Sequence, residues 1–351
     1  MLLTFPGSRT GEEQNHAMRP TSQQPLLEIR NLSVAFDGIK IIHGLDLTVA
    51  HGEALGMVGE SGSGKSVTWL AALGLLPAKA KISGSVLLDK EQLIGAKPPA
   101  MDQIRGRRIA LISQDPASAL NPVIRIGRQI IEVLGLHRGL HGASARAEAK
   151  RLLDLVGLPD SASRLNSYPH ELSGGQNQRV MIAMALAGAP ELLIADEPTT
   201  ALDVTIQAQI LDLLATIRRE TGMAMVLISH DLGVISETCG RVVVMYSGKV
   251  VEDAPSSLLF QAPFHPYTRG LLAAIPPFTG TRKRLETIEG QVPNPANLPN
   301  GCAFSPRCPL RQSLCDQTPP ALAPVAQKRF VACIEVGSET APIHALRRAQ
   351  A

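Results

Sequence analysis

The chain has 351 residues, which suggests about two domains, one of them large enough to bury a substantial core. Its 34 basic and 31 acidic residues leave a net charge of +3, and aromatic residues make up only 3% of it, which argues against a nucleic-acid-binding surface. The longest apolar stretches fall short of the ~20 residues that a membrane-spanning helix needs, and the N-terminus lacks the apolar core of a signal peptide. We therefore expect a soluble or peripheral protein of the cytoplasm.

The N-terminal region changes character near residue 26. Residues 1–25 are polar, rich in turn formers and without periodicity, which predicts a disordered extension in which Met18 is an alternative start. The stretches Leu27 to Phe36 and Ile41 to Val49 have strand-like spacing, which predicts an antiparallel hairpin. Phe36 is a candidate platform for an adenine ring, although a lone aromatic residue in a strand is more often part of the core.

A phosphate-binding pattern, G-x-x-x-x-G-K-[ST], follows the short apolar strand predicted at residues 53–58. Its residues are Gly59, Glu60, Ser61, Gly62, Ser63, Gly64, Lys65 and Ser66. Glycines let the loop bend so that its N–H groups point at phosphates, and the helix predicted from Val67 to Leu76 adds its positive end. Lys65 would reach the β- and γ-phosphates and Ser66 would bind Mg²⁺. The alternative is an ordinary Gly/Ser-rich surface turn.

Further strands and helices follow this loop. Residues 82–88 form a short predicted strand, and the apolar strand from Ile109 to Ser113 ends in Gln114. Ligands bind at the carboxyl ends of the strands in open α/β sheets, so Gln114 could contact Mg²⁺ or the attacking water. The alternative is an ordinary residue at a strand end. Residues 117–176 are predicted to form a helical insertion, with helices at 124–136 and 144–156.

A second loop of small residues closes this insertion. It consists of Ser173, Gly174, Gly175 and Gln176, and a helix is predicted directly after it at residues 177–187. A small-residue loop at a helix N-terminus favours an anion, and Ser173 could donate a hydrogen bond to an oxyanion.

Two adjacent acids follow the next apolar strand. Asp196 is suited to hold Mg²⁺, and Glu197 to polarise a water for in-line attack on the γ-phosphate. The alternative is that these carboxylates cap the helix that begins near Val204.

The strand predicted at residues 223–228 precedes His230, which would lie at the same sheet edge as Glu197. A single His is usually structural, so this assignment depends on the order of the motifs. Residues 241–252 are predicted to form a final hairpin.

With these motifs in order, residues 27–275 resemble the nucleotide-binding subunits of ATP-binding-cassette (ABC) transporters. The matching motifs are Walker A at Gly59–Ser66, the Q-loop at Gln114, the signature Leu172–Gln176, Walker B ending at Asp196, the catalytic Glu197, the D-loop Ala201–Asp203 and the switch His230. The resemblance implies an α/β fold of the P-loop NTPase type over residues 26–275, with an antiparallel β subdomain and the helical insertion. It also implies that the signature loop of one subunit closes over ATP held by another. It supports Phe36 as the adenine platform, a position where Tyr is more usual in the family.

Other segments resemble the dipeptide, oligopeptide and nickel importer branch of this family. These are residues 114–116 with 120–122, 179–186, 265–269, 290–293 and 301–309. The resemblance implies ATP-driven import of di- or oligopeptides across the bacterial inner membrane, by a subunit bound peripherally to its cytoplasmic face. The implied partners are a second ATPase subunit (a heterodimer, or alternatively a homodimer), two integral-membrane permeases and a periplasmic solute-binding protein, with no nucleic acid.

Two alternative functions remain at this point. A nickel, opine or glutathione-like solute could replace the peptide, because the solute is chosen by partners that this chain does not encode. A soluble cassette ATPase acting on ribosomes or DNA repair complexes is the remote alternative. Such proteins usually carry two cassettes or a long coiled coil, and this chain has one signature and neither feature.

Residues 276–351 are rich in Pro, Gly and Asn at their start, which predicts a linker into a small C-terminal domain. Four of the five cysteines lie there, at Cys302, Cys308, Cys315 and Cys333. Their spacing lacks the C-x2-C pairs of most zinc sites, and four thiolates can hold either Zn²⁺ or a [4Fe–4S] cluster. Similar subunits carry an iron–sulfur cluster here, so the resemblance implies the cluster, with Zn²⁺ or no metal as alternatives. Cys239 stands apart as a predicted buried helix residue.

Overall fold

The computed structural model describes residues 24–200, 202–275 and 287–337. Nearly all of the predicted N-terminal extension, including Met18, lies outside the described residues, as does Ala201 of the D-loop. The strands are β1 (Leu27–Phe36), β2 (Ile39–Val49), β3 (Ala54–Val58), β4 (Ala80–Leu88), β5 (Glu91–Gln92), β6 (Ile109–Ile112), β7 (Leu192–Asp196), β8 (Ala224–Ile228), β9 (Arg241–Tyr246), β10 (Lys249–Pro255), β11 (Ala323–Ala326) and β12 (Arg329–Val331).

Helices connect these strands and cover the sheets. They are α1 (Lys65–Ala72), α2 (Pro98–Ile104), α3 (Pro116–Ala119), α4 (Ile126–Arg138), α5 (Gly142–Leu155), α6 (Ser161–Arg164), α7 (Gly174–Ala187), α8 (Val204–Thr221), α9 (Leu232–Thr238), α10 (Ser256–Gln261), α11 (Pro266–Ala273) and α12 (Ile334–Gly337). Short 3₁₀ helices lie at Pro169–Glu171, Pro295–Asn297, Ser305–Arg307 and Ser313–Asp316. In the part of the chain that the structure describes, no helix has the length and apolarity to cross a membrane.

Two sheets organise the fold. Strands β2, β1, β4 and β5 form an antiparallel sheet in that order, and the predicted pairing of β1 with β2 is confirmed. The larger sheet has the order β11, β12, β10, β9, β3, β8, β7, β6. Its strands β3, β8, β7 and β6 are parallel. They are continuous apolar runs because both faces of the sheet are buried, one beneath helices that include α7 and α8 and the other against α1 and the antiparallel sheet.

The register of the parallel strands determines where the candidate site forms. Met57 near the end of β3 and Asp196 at the end of β7 both pair with Ile228, the last residue of β8. Ile112 at the end of β6 pairs with Ala195. Four carboxyl ends therefore meet at one edge, and the phosphate loop, Gln114, the two acids and His230 all follow that edge.

Helix α1 differs from its predicted bounds of 67–76, because glycines determine both of its ends. It begins at Lys65, directly after Gly64, which has a φ of 101°. It ends at Ala72 because Gly74 is left-handed, with a φ of 61°, and Leu75 N–H donates back to Leu70 C=O at 2.8 Å.

Helices α4 and α5 pack on α7 as a layer beside the sheet, and a charged cluster stabilises their outer face. Arg138 and Arg151 both bind the Glu148 carboxylate, at 2.6 and 2.8 Å. These hydrogen bonds, Arg151 first, lower the pKa of Glu148 to about 2.

We expect Glu148→Gln to reduce the free energy of unfolding at pH 7 by about 1 kcal/mol, less than the pKa shift alone implies because solvent screens the pair. A lowered folded-state pKa contributes stability in full above pH 4.5, and the contribution is lost as the pH falls toward 2. Denaturant unfolding at pH 7 and at acidic pH should therefore show the variant and the wild type converging in acid. A difference that stays constant with pH would contradict the ion-pair explanation.

Gly188 at the end of α7 marks a close approach between backbones. A Cβ at this position would lie 1.7 Å from the carbonyl oxygen of Gly106. We expect Gly188→Ala to destabilise the fold by about 1–3 kcal/mol, since a backbone segment has to move. Gly240→Ala is the matched control, because its Cβ would meet nothing within 4 Å. Denaturant unfolding of both variants tests this, and equal stabilities would contradict it.

The C-terminal segment packs directly on the rest of the protein. Strand β12 pairs with β10, and Ala332 N–H donates to Val251 C=O at 2.8 Å. Phe304 is buried among Tyr246 and Tyr267, with ring centroids 5.3 and 5.4 Å away. Residues 287–337 thus extend the sheet and core of the preceding region.

Candidate active site

The phosphate loop follows β3 and needs glycine at its start. Gly59 has a φ of 151°, and a Cβ there would lie 2.2 Å from the carbonyl oxygen of Met245 on β9. Only glycine lets the loop turn this close to the neighbouring strand. The loop then enters α1, whose N-terminal N–H groups suit an anion.

Lys65 lies inside the loop, with 7% of its surface exposed. Its Nζ donates to the carbonyl oxygens of Gly59 at 2.7 Å and Glu60 at 3.1 Å. Burial lowers the pKa of Lys65, and the carboxylates of Glu197 and Asp196 oppose that effect. The Lys65 ammonium is therefore held by carbonyl groups of the loop itself, and both acids act on it electrostatically.

Asp196 forms the acidic side of the site. Burial raises the pKa of Asp196, and a hydrogen bond with the Ser66 side chain opposes the rise. Mg²⁺ prefers oxygen ligands, and a carboxylate beside a hydroxyl provides two of them. The side chains present therefore fit a magnesium ion.

Side chains that follow the neighbouring strands contact Glu197. Its Oε2 accepts hydrogen bonds from Gln114 Nε2 and Thr200 Oγ1, both at 2.9 Å, and lies 3.6 Å from His230 Nδ1. Its backbone has a φ of 48°, a left-handed conformation that is strained for glutamate and is often found at functional sites. Because these side-chain contacts all involve Oε2, Oε1 is the oxygen suited to a water.

The signature residues form the start of helix α7. Ser173 Oγ accepts from Gln176 N–H at 3.3 Å, while Gln176 Oε1 accepts from Ser173 N–H at 3.0 Å, a capping box that starts α7. The neighbours of Gly174 and Gly175 are Leu202 and Ile206, the latter on α8. The signature loop is thus an ordered helix start that packs beside Leu202 and α8.

A cavity of about 500 Å³ lies beside the phosphate loop. Its lining includes Ser61 and Gly62 of the loop, His43 of β2 and Val292 of the C-terminal segment. Phe36 is half-buried against the core beneath the antiparallel sheet and lies outside this lining.

The four C-terminal cysteines come together. Cys302, Cys308, Cys315 and Cys333 line one small cavity of about 20 Å³. Burial raises the pKa of Cys302 and Cys333, and it raises the pKa of Cys308 to about 11. Within the described ranges, no three His, Cys, Asp or Glu side chains are gathered as a site for a single metal ion. Cys239 is buried at the C-terminal end of α9.

Three residues at the site were missed from the sequence. Thr200 contacts Glu197, whereas Tyr267 and Arg307 both contact Glu60. Thr200 follows Glu197 by three residues, so the turn after the acids could have indicated it. Tyr267 and Arg307 lie 207 and 247 residues from Glu60, and no local pattern reports such contacts.

Known proteins are similar to this chain in sequence. The family described as ABC transporter matches residues 42–200, and the one described as the C-terminal region of oligopeptide/dipeptide transporters matches residues 251–315. A protein of Brucella abortus (strain 2308) named "Putative peptide import ATP-binding protein" is 52% identical over 304 residues, covering 85% of this chain and 92% of that protein. The chain belongs to the ABC transporter family. Within it, the oligopeptide transport ATP-binding protein OppD of Salmonella typhimurium is 45% identical, covering 90% of this chain and 95% of its own.

Solved ABC structures agree with the fold. A dimeric ATP-binding cassette in a post-hydrolysis state, bound to ADP and phosphate, superposes with a TM-score of 0.59 at 28% identity. It covers 66% of this chain and 98% of its own. The predicted ABC-type α/β fold is therefore confirmed.

Proposed function

We propose that this ABC protein is the ATP-binding and ATP-hydrolysing subunit of a transporter that imports di- or oligopeptides across the bacterial inner membrane. The observation that supports it most is the convergence of Lys65, Asp196 and Glu197 at one sheet edge, in a chain whose relatives bear peptide import names.

We assign the site residues the following roles. The N–H groups of Gly59–Ser66 and the Lys65 ammonium bind the phosphates. Ser66, Asp196 and Gln114 would hold Mg²⁺, which neutralises phosphate charge when bound. Phe36 stacks on the adenine ring.

Glu197 acts as the general base. It takes a proton from a water as the water oxygen bonds to the γ-phosphorus and the bond to the β–γ bridging oxygen breaks. Gln114 and His230 orient the Glu197 carboxylate and sense the γ-phosphate, and their contacts with Oε2 support this role.

We propose that the complete ATP site requires a second ATPase subunit. The residues Ser173, Gly174, Gly175 and Gln176 form an ordered start of α7 whose neighbours are Leu202 and Ile206, and their use in trans is what the family motif implies. A heterodimer with a similar subunit is our preferred pairing, with a homodimer as the alternative. ATP-dependent dimerisation of the chain alone, compared with coexpressed pairs, tests the two.

The complex proposed here contains two integral-membrane permeases and a periplasmic solute-binding protein, with this chain peripheral on the cytoplasmic face. Reconstitution in proteoliposomes tests it, and ATP-dependent peptide uptake is expected. Uptake of nickel, an opine or glutathione in place of peptides would change the solute and leave the ATPase role intact. Failure to copurify with any membrane subunit would contradict the transport proposal.

We also propose that the four cysteines hold a [4Fe–4S] cluster. Four cysteine thiols that line one cavity match in number the four thiolate ligands of such a cluster, with Zn²⁺ as the alternative. Deprotonation on binding would overcome the raised thiol pKa values. Iron and zinc analysis of an anaerobic preparation tests the proposal, and a colourless, iron-free sample would contradict it.

A further inference from the structure

We propose that Arg307 and Tyr267 are positioning residues that fix the start of the phosphate loop through Glu60, so that the C-terminal segment sets the affinity of the site for nucleotide. The inference rests on the proposed function only in that the loop binds the phosphates of ATP.

Glu60 is held through all of its polar groups. Its N–H donates to the Tyr267 hydroxyl at 2.7 Å, and its C=O accepts from Lys65 Nζ at 3.1 Å. Its carboxylate binds the Arg307 guanidinium in a bidentate pair at 2.7 and 3.0 Å. The second residue of the loop is thus connected to the catalytic lysine on one side and to the C-terminal segment on the other.

Arg307 is itself fixed in one orientation. Its side chain is 5% exposed, and it also donates to the Tyr246 hydroxyl at 3.3 Å and to the carbonyl oxygen of Glu289 at 3.0 Å. A planar guanidinium with these partners places the Glu60 carboxylate precisely, which a flexible lysine would not do. Removal of Arg307 from this partly buried pair would leave the Glu60 charge uncompensated.

An uncompensated Glu60 would weaken nucleotide binding in two ways. The carboxylate, 30% exposed, would add a negative charge beside the polyphosphate. It would also be free to attract the Lys65 ammonium, on which it already acts electrostatically. Neutralisation by Arg307 therefore leaves Lys65 available for phosphate.

Tyr267 belongs to an aromatic cluster that joins the two regions. Its ring lies 4.6 Å from that of Tyr246 and 5.4 Å from that of Phe304, and Phe304 begins the turn that carries Arg307. The contacts of Tyr267 and Arg307 with Glu60 thus depend on the same aromatic cluster.

The test is a double-mutant cycle on the full-length chain, with binding of a fluorescent ATP analogue as the readout. Arg307→Gln should raise Kd by about 2- to 30-fold, the usual range for a residue that acts through another. Glu60→Gln in the same chain should recover much of that loss, because it removes the uncompensated charge. In the assembled transporter, KM for ATP should change more than kcat.

Arg311→Gln is the matched control. Arg311 pairs with Asp316 at 2.8 Å in the same segment, at an exposed site, and its loss should leave Kd unchanged. Arg307→Lys, which retains the charge without the bidentate geometry, should give an intermediate Kd even if Arg307→Gln folds poorly. Tyr267→Phe should weaken binding because the Glu60 N–H loses its acceptor.

A wild-type Kd in both Arg307 variants would overturn the inference. So would a double variant in which the effects of Glu60→Gln and Arg307→Gln on the free energy of binding simply add. A wild-type chain that binds no ATP analogue would instead overturn the proposed function, so the two failures are distinguishable.

Discussion

Replacing Glu197 by Gln is expected to lower ATP turnover by about 10²- to 10⁴-fold, the usual contribution of a general base, while ATP binding remains. Gln is the same size and can still contact Thr200 and His230, but its amide cannot take a proton from water. With hydrolysis blocked, the proposed pair of ATPase subunits should remain closed around ATP. Phosphate release and size-exclusion chromatography in ATP and Mg²⁺ measure both effects.

Glu191→Gln is the matched control for this variant. Glu191 immediately precedes the same strand, β7, at the opposite edge of the sheet, where it pairs with Arg108 at 2.6 Å. It should retain near wild-type turnover. Near-normal turnover in the Glu197 variant would refute its role as the base.

We expect the Cys315→Ser variant to lose the iron of the proposed cluster and to expose residues 287–337 to proteolysis. Cys315 is buried, its C=O accepts from Cys302 N–H at 2.7 Å, and a Cβ on Gly301 would lie only 2.1 Å from its carbonyl oxygen. The turn around it is therefore tightly packed, and the segment consists mainly of turns and 3₁₀ helices. Ligand loss in such a segment costs several kcal/mol of folding free energy. Iron analysis, visible absorption and limited proteolysis under anaerobic conditions measure the change.

Cys239→Ser is the matched control, because Cys239 is equally buried but lies outside the four-cysteine cavity. It should retain iron and visible absorption. Absorption that persists in the Cys315 variant, or zinc in place of iron in the wild type, would contradict the cluster.

The sheet-edge part of the site was predictable from the sequence. Apolar runs bounded by turn formers mark buried parallel strands, and Gln114, Glu197 and His230 each follow such a run. Parallel strands place these ends together, so the hydrogen bond from Gln114 to Glu197 is a consequence of topology. Thr200 and Gln114 donate to the same oxygen of Glu197. Such side-chain orientations depend on backbone angles that no sequence pattern specifies.

The C-terminal contacts were not predictable in the same way. The composition after Pro276 indicated a linker and a segment with little core of its own. The packing of Phe304 against Tyr246 and the pairing of β12 with β10 depend on long-range contacts between distant stretches of chain. Such contacts leave no periodic pattern at either end, so they emerge only from the structure.

The pairing of β12 with β10 also protects the protein from association through an open sheet edge. Without β11 and β12, the seven residues of β10 would offer unpaired backbone groups to any passing strand. The outermost strand, β11, is only four residues long and contains Pro324, which lacks an N–H group. The segment that carries the cysteines thereby ends the sheet with a strand to which another chain adds poorly.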